Sequence, residues 1–455
     1  MNWLPNNLKI PLGLRWNIRI ILCTFCTLFF YYALPLHAQQ ANDSTNRETR
    51  RGDRIILDYA DEFIGRQING EDVRELNGHV HLSQGNVQVW CDNAIQYLAR
   101  NEVELVGSVK VVRDTVTLTA QRGKYFGNVK RADGEGNVRM ETKHIVLLAD
   151  FGTYYLDEKR AFFHQNVRVI DSTTTIFCDE LTYFEKERKS IAVHHIRVLN
   201  SENNVVLFGD YLEHFDETHY TKLTQEPRLM KIDTSASTTA GALPKIDTLV
   251  MKSIVMESYD DSTKKLIATD SVEVVRGPLA ARCGVLYYFT KRDEITLYQQ
   301  PILWYEDNQV TGDTISLDLE KNKLKHAHIL NRAFAISLSD SAYPSRYNQL
   351  TGRKIDMEFA NEKLHEIYVT RNAVSLYYLY DGKDPNGANQ TSGDAITMSF
   401  ENGKLDFIRV LKGIEGMYYP ENMLKNNIEK YNLDGFNLRT DRPNFESVFS
   451  RKNNL

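Results

Sequence analysis

The chain has 455 residues, of which 42% are hydrophobic and 25% charged, and its 60 acidic and 55 basic side chains give a formal net charge of -5. This composition supplies ample apolar material for a folded core and argues against disorder over most of the chain. The two signs of charge alternate along the sequence, which disfavours nucleic-acid binding because a nucleic-acid binder normally carries a basic face.

The first 38 residues have the pattern of an export signal. Basic residues up to Arg19 precede an apolar run that ends at Leu34, and the small residue Ala38 follows. This order predicts a signal peptide over residues 1–38, cleaved after Ala38, and hence a periplasmic protein. The apolar run approaches the length of a membrane span, so an uncleaved anchor is the alternative. Residues 39–51 are interpreted as a linker.

One short pattern recurs along the rest of the chain. Each copy has a small residue, then a polar residue that is usually Asp, and then apolar residues at alternate positions, as after Cys178. The eleven copies, about 30 residues apart in most cases, begin at Ala60, Cys91, Ala120, Ala149, Cys178, Gly209, Met251, Ala281, Gly312, Gly352 and Gly393. Such a period predicts a repeat architecture in which each copy is one lap.

The third and fifth residues after the small residue form two mainly apolar columns, with polar residues between them, as at Glu180 and Thr182. A period of two is typical of a half-buried β-strand and does not fit a helix. Each copy then continues through a polar turn, such as residues 99–102, into a second alternating run, such as residues 103–111. The sequence therefore predicts an all-β fold of stacked strands, with two strands in each lap.

Longer spacings occur where turn-forming residues have been added. Residues 233–247 are rich in Ser, Thr and Ala and are interpreted as a linker or insertion between a first half, residues 52–232, and a second half, residues 248–418. The repeat fades near residue 418. Residues 419–455 form a polar, Asn-rich tail, for which a capping helix and a mobile segment are the two alternatives.

The cysteines that remain after signal cleavage occupy apolar positions. Cys91 and Cys178 stand in the small-residue column three laps apart. At roughly 4.8 Å between neighbouring strands, three laps separate them by at least about 14 Å, whereas a disulfide needs about 7 Å or less. We therefore expect small, buried thiols.

The recurring Asp, present in seven of the eleven copies, raises the question of a calcium or acid-base site. Such sites need several oxygen ligands in one place, whereas these carboxylates are spread one per lap, so a turn-forming or strand-capping role is favoured. His194 and His195 are interpreted as neighbours in a regular strand, which would point their rings to opposite faces and exclude joint metal binding. His214 takes an inward position. We predict no metal site and no cofactor.

The series of copies resembles the OstA/LptA family of lipopolysaccharide-transport proteins, in a long OstA-like form. The resemblance rests on residues 77–80 leading into residues 89–92, on residues 165–167 leading into residues 178–183, and on residues 300–305 followed by residues 312–315. It extends over roughly residues 52–416.

Membership would imply a β-jellyroll trough, or half-pipe, that holds lipid A acyl chains and catalyses nothing. It would also imply edge-strand addition to other Lpt-type proteins or to a second copy, in the periplasm or at the outer membrane. The residues that would then line the groove are Phe63, Tyr125, Tyr154, Leu181, Tyr183, Leu212, Ile254, Met256, Leu286, Ile315, Leu317, Ile355 and Met357.

Two other classes of function stay open at this point. The inward columns are equally suited to a filled core, as in a structural β-solenoid scaffold or adhesin. A β-helical carbohydrate-active enzyme would need two carboxylates about 5 to 10 Å apart in a cleft. The sequence contains no phosphate-binding Gly-rich loop, nucleophile elbow or HExxH pair, which disfavours an enzyme.

Overall fold

The computed structural model describes residues 54–450, except residues 144, 203, 236–244, 321–322, 362, 402–403 and 426. The predicted signal peptide and linker lie outside the described residues. Within the described part, 28 strands belong to one antiparallel sheet. The predicted fold class, an all-β protein of stacked strands, is confirmed.

The strands are numbered in chain order, and most of them pair with the next strand along the chain. They are β1 Ile56–Tyr59, β2 Glu62–Ile68, β3 Glu71–Gln84, β4 Val87–Tyr97, β5 Glu102–Arg113, β6 Val116–Phe126, β7 Arg131–Glu141, β8 Val146–Tyr155, β9 Arg160–Ile170, β10 Thr174–Phe184, β11 Lys189–Asn200, β12 Val205–Phe215, β13 Tyr220–Thr224 and β14 Arg228–Ser235. The second half contains β15 Lys245–Lys252, β16 Val255–Tyr259, β17 Lys265–Arg276, β18 Leu279–Phe289, β19 Glu294–Tyr298, β20 Ile302–Tyr305, β21 Asn308–Thr311, β22 Thr314–Glu320, β23 Lys323–Leu338, β24 Tyr347–Ala360, β25 Lys363–Asp381, β26 Asp384–Glu401, β27 Lys404–Leu411 and β28 Glu415–Tyr419.

Each lap bends at a corner made of two consecutive residues with positive φ. In β5 these are Gly107 (φ 78°) and Ser108 (φ 47°), and the pairing with β4 shifts there between Trp90 and Asn93. The corner pairs are Gly78-His79, Gly107-Ser108, Gly136-Asn137, Gln165-Asn166, His194-His195, Gln225-Glu226, Asp270-Ser271, Gln299-Gln300, Asn331-Arg332, Arg371-Asn372 and Lys412-Gly413. Such bulges bend a strand and shift the phase of its side chains.

The recurring Asp side chain binds at these corners. Asp92 accepts a 3.0 Å hydrogen bond from the Ser108 hydroxyl, and Asp150 accepts one of 2.6 Å from the Asn166 amide. A Cβ added to Gly107 would lie only 2.3 Å from Oδ2 of Asp92. The carboxylate therefore occupies the space that the glycine leaves open.

His194 and His195 form one of these corners, so the prediction of a regular strand at this position is wrong. Both residues have positive φ, 63° and 49°. Nδ1 of His195 lies 2.6 Å from the Asp179 carboxylate, which is the same corner contact that Asp92 and Asp150 make. His214 is half-buried and lies 2.9 Å from the Thr221 hydroxyl.

In the seventh and eighth copies, the corner comes two residues later than the sequence pattern indicated. The amide of Ile254 donates to the carbonyls of Thr269 and Asp270, and the amide of Gly284 donates to the carbonyl of Gln299. In a later lap, the amide of Asp313, which is one of the recurring Asp residues, makes the equivalent bonds to the carbonyls at its corner, those of Leu330 and Asn331. A shift of two residues preserves a period of two, so alternation alone does not distinguish the two positions.

The tail and the predicted insertion both contain regular structure. Asp233 pairs with Asp247 in the ladder between β14 and β15, so strands extend into both ends of residues 233–247. The tail contains helix α1 Glu421–Leu424, a 3-10 helix Ile428–Tyr431 and helix α2 Phe445–Phe449. We call residues 420–450, apart from residue 426, the strap, because this segment lies along the sheet.

Candidate functional site

The apolar interior is the candidate functional site. Inward side chains from the first lap to the last form one continuous hydrophobic cluster that begins at Ile55 and ends at Met398. Side chains on both sides of a corner point into it: in β4, Cys91 and Ala94 are three residues apart and both are buried. A spacing of three departs from strict alternation because the pairing of β4 with β5 shifts opposite the corner.

The chain reverses direction at two margins of the sheet. Margin A contains the turns at residues 85–86, 114–115 and 277–278, and margin B contains those at residues 69–70 and 127–130. The interior lies between the margins, so contacts between them decide whether it is closed.

Hydrogen bonds connect the two margins in the first laps. The Tyr125 hydroxyl on margin B donates to Oε1 of Gln84 on margin A over 2.5 Å, and the amide of the same Gln84 donates to the carbonyl of Gly127. The Arg113 guanidinium on margin A donates to the carbonyl of Leu156 on margin B over 2.6 Å. We call this row of contacts between the margins the seam.

The seam continues at both ends of the sheet. The side-chain amide of Gln96 donates to the carbonyl of Ile55, and the amide of Ile55 donates to Oδ1 of Asn101, over 3.0 and 3.1 Å. In the later laps, the ring of Tyr305 on margin A meets the ring of Phe359 on margin B edge-on, with centroids 5.3 Å apart. Sequence reasoning missed these residues, although Gln96 is a polar residue in an otherwise apolar column.

Most of the predicted lining residues lie in this interior. Tyr183 is half-buried, and the remaining interior members are buried: Tyr125, Tyr154, Leu181, Leu212, Met256, Leu286, Ile315, Leu317, Ile355 and Met357. The structure therefore brings these side chains together along one apolar core.

Two of the predicted residues are exposed. Phe63 is 54% exposed because β2 lies at the first edge of the sheet, where no further lap covers it, although Phe63 stands opposite the buried Leu76. Ile254 is 56% exposed because it occupies the corner position, where other laps have Asp. The expectation that Ile254 faces the interior is wrong, whereas Met256, two residues later, is buried.

The interior beside Arg113 is filled by its own side chains. An apolar cavity beside Arg113, lined in part by Leu118, Met140 and Tyr154, has a volume of about 10 Å³. This is the space that one water molecule needs. An acyl chain therefore requires the margins to separate before it can occupy this interior.

Burial also shifts the acid-base properties of interior groups. It raises the pKa of the Tyr125 hydroxyl to about 12, so this group remains a hydrogen-bond donor at neutral pH. The thiols of Cys91 and Cys178 are free and buried, as expected, the thiol of Cys283 is free and buried as well, and burial raises the pKa of each to about 12. Such thiols are poorly reactive at neutral pH because the thiolate is the nucleophile.

Among the residues that the structure describes, no group of three or more His, Cys, Asp and Glu side chains is arranged to hold a metal ion. None of the helices in this part of the chain is long and apolar enough to cross a membrane.

Comparison with known proteins identifies two overlapping family matches. Residues 52–210 match the family described as OstA-like protein, and residues 147–323 match the LptA/(LptD N-terminal domain) LPS transport protein family. Together, the matches span more than half of the chain. No curated protein matches it.

One solved structure with a similar segment is LptH, the LptA-homologous periplasmic component of the conserved lipopolysaccharide transport device from Pseudomonas aeruginosa. It is 12% identical, and the match covers 31% of this chain and 96% of LptH, with a TM-score of 0.26. A TM-score of this size supports no conclusion about fold or function.

Proposed function

Because residues 52–210 match the OstA-like family and residues 147–323 match the LptA/(LptD N-terminal domain) family of LPS transport proteins, we propose that the chain binds lipopolysaccharide in the periplasm and carries it during outer-membrane assembly. Its role is to hold the acyl chains of lipid A in the apolar interior, without catalysis. The observation that carries this proposal is the single apolar cluster that runs through all the laps, between two margins held by non-covalent contacts.

Burial of acyl chains supplies the binding energy. Each methylene removed from water contributes about 0.8 kcal/mol, so burial of a few methylenes outweighs the loss of one seam hydrogen bond, which is worth about 1 kcal/mol. The sheet can separate at the seam without losing strand pairing, because the seam bonds join side chains and turns of the two margins. Lipid would then replace contacts that the inward side chains make with one another.

The two ends of the sheet support strand addition to other Lpt-type proteins or to a second copy. The first strands expose Tyr59 and Phe63, and the last strands expose Leu411 and Met417. Unpaired strand edges with apolar side chains favour pairing with another chain.

The filled interior favours one second candidate, a structural scaffold whose core never opens. The tight packing around the cavity beside Arg113 is the observation behind it. The two functions differ in whether lipid reaches side chains such as Leu212 and Ile315, which are buried in the lipid-free chain.

Photocrosslinking in cells tests the proposal. A photoreactive amino acid at Leu181, Leu212 or Ile315 should capture lipopolysaccharide, while one at Thr182, between the inward columns, should capture much less. Ile254 provides a second control, because it is exposed at a corner outside the apolar interior. Capture from Thr182 and Ile254 but not from the buried positions would contradict the proposal, and no capture from any position would favour the scaffold.

A further inference from the structure

The outer face of the sheet carries a straight row of cations and apolar side chains next to the corners. In β9 to β11, Arg168, Phe177 and Arg197 stand directly opposite one another. The row crosses one strand after another through paired residues: Trp90, Lys110, Thr119, Arg139, Leu148, Arg168, Phe177, Arg197, Phe208 and Arg228. We call these ten residues the basic row.

Cations recur on every second strand of the basic row. With neighbouring strands roughly 4.8 Å apart, consecutive cations are separated by about 10 Å. No carboxylate belongs to the row itself. Its positive charges are therefore arranged in a line rather than dispersed.

Three of these cations are available for a partner. Lys110, Arg168 and Arg197 are exposed, and among the described residues they form no ion pair. Each lies over an aromatic ring instead: the Lys110 ammonium is 5.6 Å from the Trp90 ring, and Arg168 and Arg197 are 5.0 and 4.5 Å from the Phe177 ring. Ring contacts hold the cations in place without neutralising them.

The continuation of the same row is already covered by a peptide segment. Beyond Arg228 the row passes through Lys252 and Glu273 to Arg282, and Arg282 forms an ion pair with Asp441 of the strap. The ring of Phe449, near the end of the strap, meets the Phe208 ring edge-on at 5.5 Å. The strap contact thus reaches Phe208, and Arg197 stands directly opposite this residue on the next strand.

The strap shows what this face accepts. Ala280, Ile302 and Trp304 are buried on the face that continues the row, and the side chain of Gln309 binds the strap backbone at both of its ends, donating to the carbonyl of Asn437 and accepting from the amide of Arg439. A carboxylate, an aromatic ring and extended backbone are therefore the groups that this face binds within the chain.

We propose that the part of the basic row from Trp90 to Arg197, which the strap does not reach, is a docking surface for an extended acidic segment of a partner protein. The partner's carboxylates pair with Lys110, Arg168 and Arg197, and its apolar side chains pack between them, as Asp441 and Phe449 of the strap do on the neighbouring laps. This surface lies on the opposite side of the sheet from the apolar interior, so the inference is independent of lipid binding.

Binding of a synthetic acidic peptide to the full chain tests this proposal. The probe is a fluorescein-labelled peptide of four Asp-Asn-Phe-Glu repeats, and its matched control has Asn and Gln in place of Asp and Glu. The triple variant K110Q, R168Q and R197Q should weaken binding of the acidic peptide about tenfold, since exposed ion pairs contribute little individually but add across separate sites. The interaction should also weaken with added salt.

A second triple variant, R353Q, R371Q and K412Q, removes the same charge from exposed positions outside the basic row and should bind the acidic peptide like the unmodified chain. The proposal is overturned if the neutral peptide binds as well as the acidic one, or if the two triple variants bind alike. It is also overturned if the row binds phosphatidylglycerol vesicles but not the peptide. If the first triple variant loses its β-sheet circular dichroism signal, the single variants R168Q and R197Q replace it, and each should bind the acidic peptide more weakly than the unmodified chain.

Discussion

The hydroxyl of Tyr125 lies 2.5 Å from Oε1 of Gln84, and this hydrogen bond joins the two margins of the sheet. Tyr125 is 1% exposed and Gln84 is 4% exposed, so neither group exchanges its partner for water while the seam is closed. Under the proposed function, this contact connects stability to lipid binding, because the interaction that closes the interior would have to break for an acyl chain to enter.

Replacing Tyr125 with Phe should loosen the seam. Loss of the hydroxyl leaves Oε1 of the buried Gln84 without this donor, which should lower the free energy of unfolding by about 1 to 2 kcal/mol. The same change should accelerate lipopolysaccharide uptake, because closure of the margins becomes weaker. Urea denaturation and the rate of lipid binding check the two effects.

Tyr155→Phe is the matched control for this prediction, since Tyr155 is half-buried and its ring contacts Arg160 on the outer face. It should change stability by less than about 0.5 kcal/mol. Equal effects of the two substitutions would show that the seam bond has no special role.

The corner at Gly107 should be sensitive to any added side chain. Gly107→Ala places a Cβ 2.3 Å from the Asp92 carboxylate and requires a positive φ, so we expect a loss of about 2 to 3 kcal/mol. Combining it with Asp92→Ala should remove the 2.3 Å contact with the carboxylate and leave the backbone strain and a 3.0 Å contact with the Cβ of residue 92. The double variant should therefore be more stable than the sum of the single changes predicts, by at least about 0.5 kcal/mol.

Gly85→Ala separates strain from the clash. Gly85 also has a positive φ, 62°, but nothing lies within 4 Å of an added Cβ. Its loss should be about 1 kcal/mol and should not depend on Asp92. A coupling energy near zero between Gly107 and Asp92 would contradict this description of the corner.

The first corner should titrate as a pair. Nδ1 of His79 lies 2.7 Å from the Asp61 carboxylate, and this hydrogen bond raises the pKa of His79 above 6.5 and lowers the pKa of Asp61 below 3.8. The stabilisation from His79 is complete below pH 6.5 and is lost as pH rises through its folded pKa. The stabilisation from Asp61 is present above pH 3.8 and is lost as pH falls through its folded pKa.

An NMR titration of the His79 ring checks this assignment. Asp61→Asn should return the pKa of His79 toward 6.5, whereas Asp72→Asn, which removes a carboxylate bonded to Gln67 instead, should leave it raised. An unchanged His79 titration in Asp61→Asn would refute the pairing.

The strap should detach when its first ion pair is broken. Arg346, whose side chain is 6% exposed, donates two hydrogen bonds, of 2.9 and 2.6 Å, to Glu421. Glu421→Gln removes the charge and should cost about 2 kcal/mol, less than for a fully buried pair because Glu421 retains some contact with water. It should also speed proteolysis within residues 420–450. Glu429→Gln, on an exposed strap residue, should change neither quantity.

Much of the sheet follows from side-chain alternation. The small residue and Asp at Cys178 and Asp179 recur through the laps, and most residues in the apolar columns after them are buried, such as Leu181 and Leu212. Alternation predicts these residues because each strand buries one face, and the apolar residues of that face stand at every second position of the sequence.

The corners explain what alternation does not reveal. Residues such as Gln165 and Arg371 take positive φ there, and nothing in their side chains signals that conformation. Ile254 was predicted to face the interior because a two-residue shift of the corner leaves the period of two unchanged. The seam and the strap depend on contacts between distant residues, such as Gln309 with Asn437, which no local pattern encodes.

Opening of the seam on lipid binding is the most direct test of the transport account. Spin labels on cysteines at Asn86 of margin A and Val129 of margin B, both exposed, report the separation of the margins in the processed chain, and the buried thiols of Cys91, Cys178 and Cys283 should stay unlabelled. Pulsed dipolar spectroscopy should find the label distance longer by roughly 4 Å or more with lipopolysaccharide bound, the thickness of one layer of carbon atoms. An unchanged distance in a chain that has bound lipopolysaccharide would contradict the account.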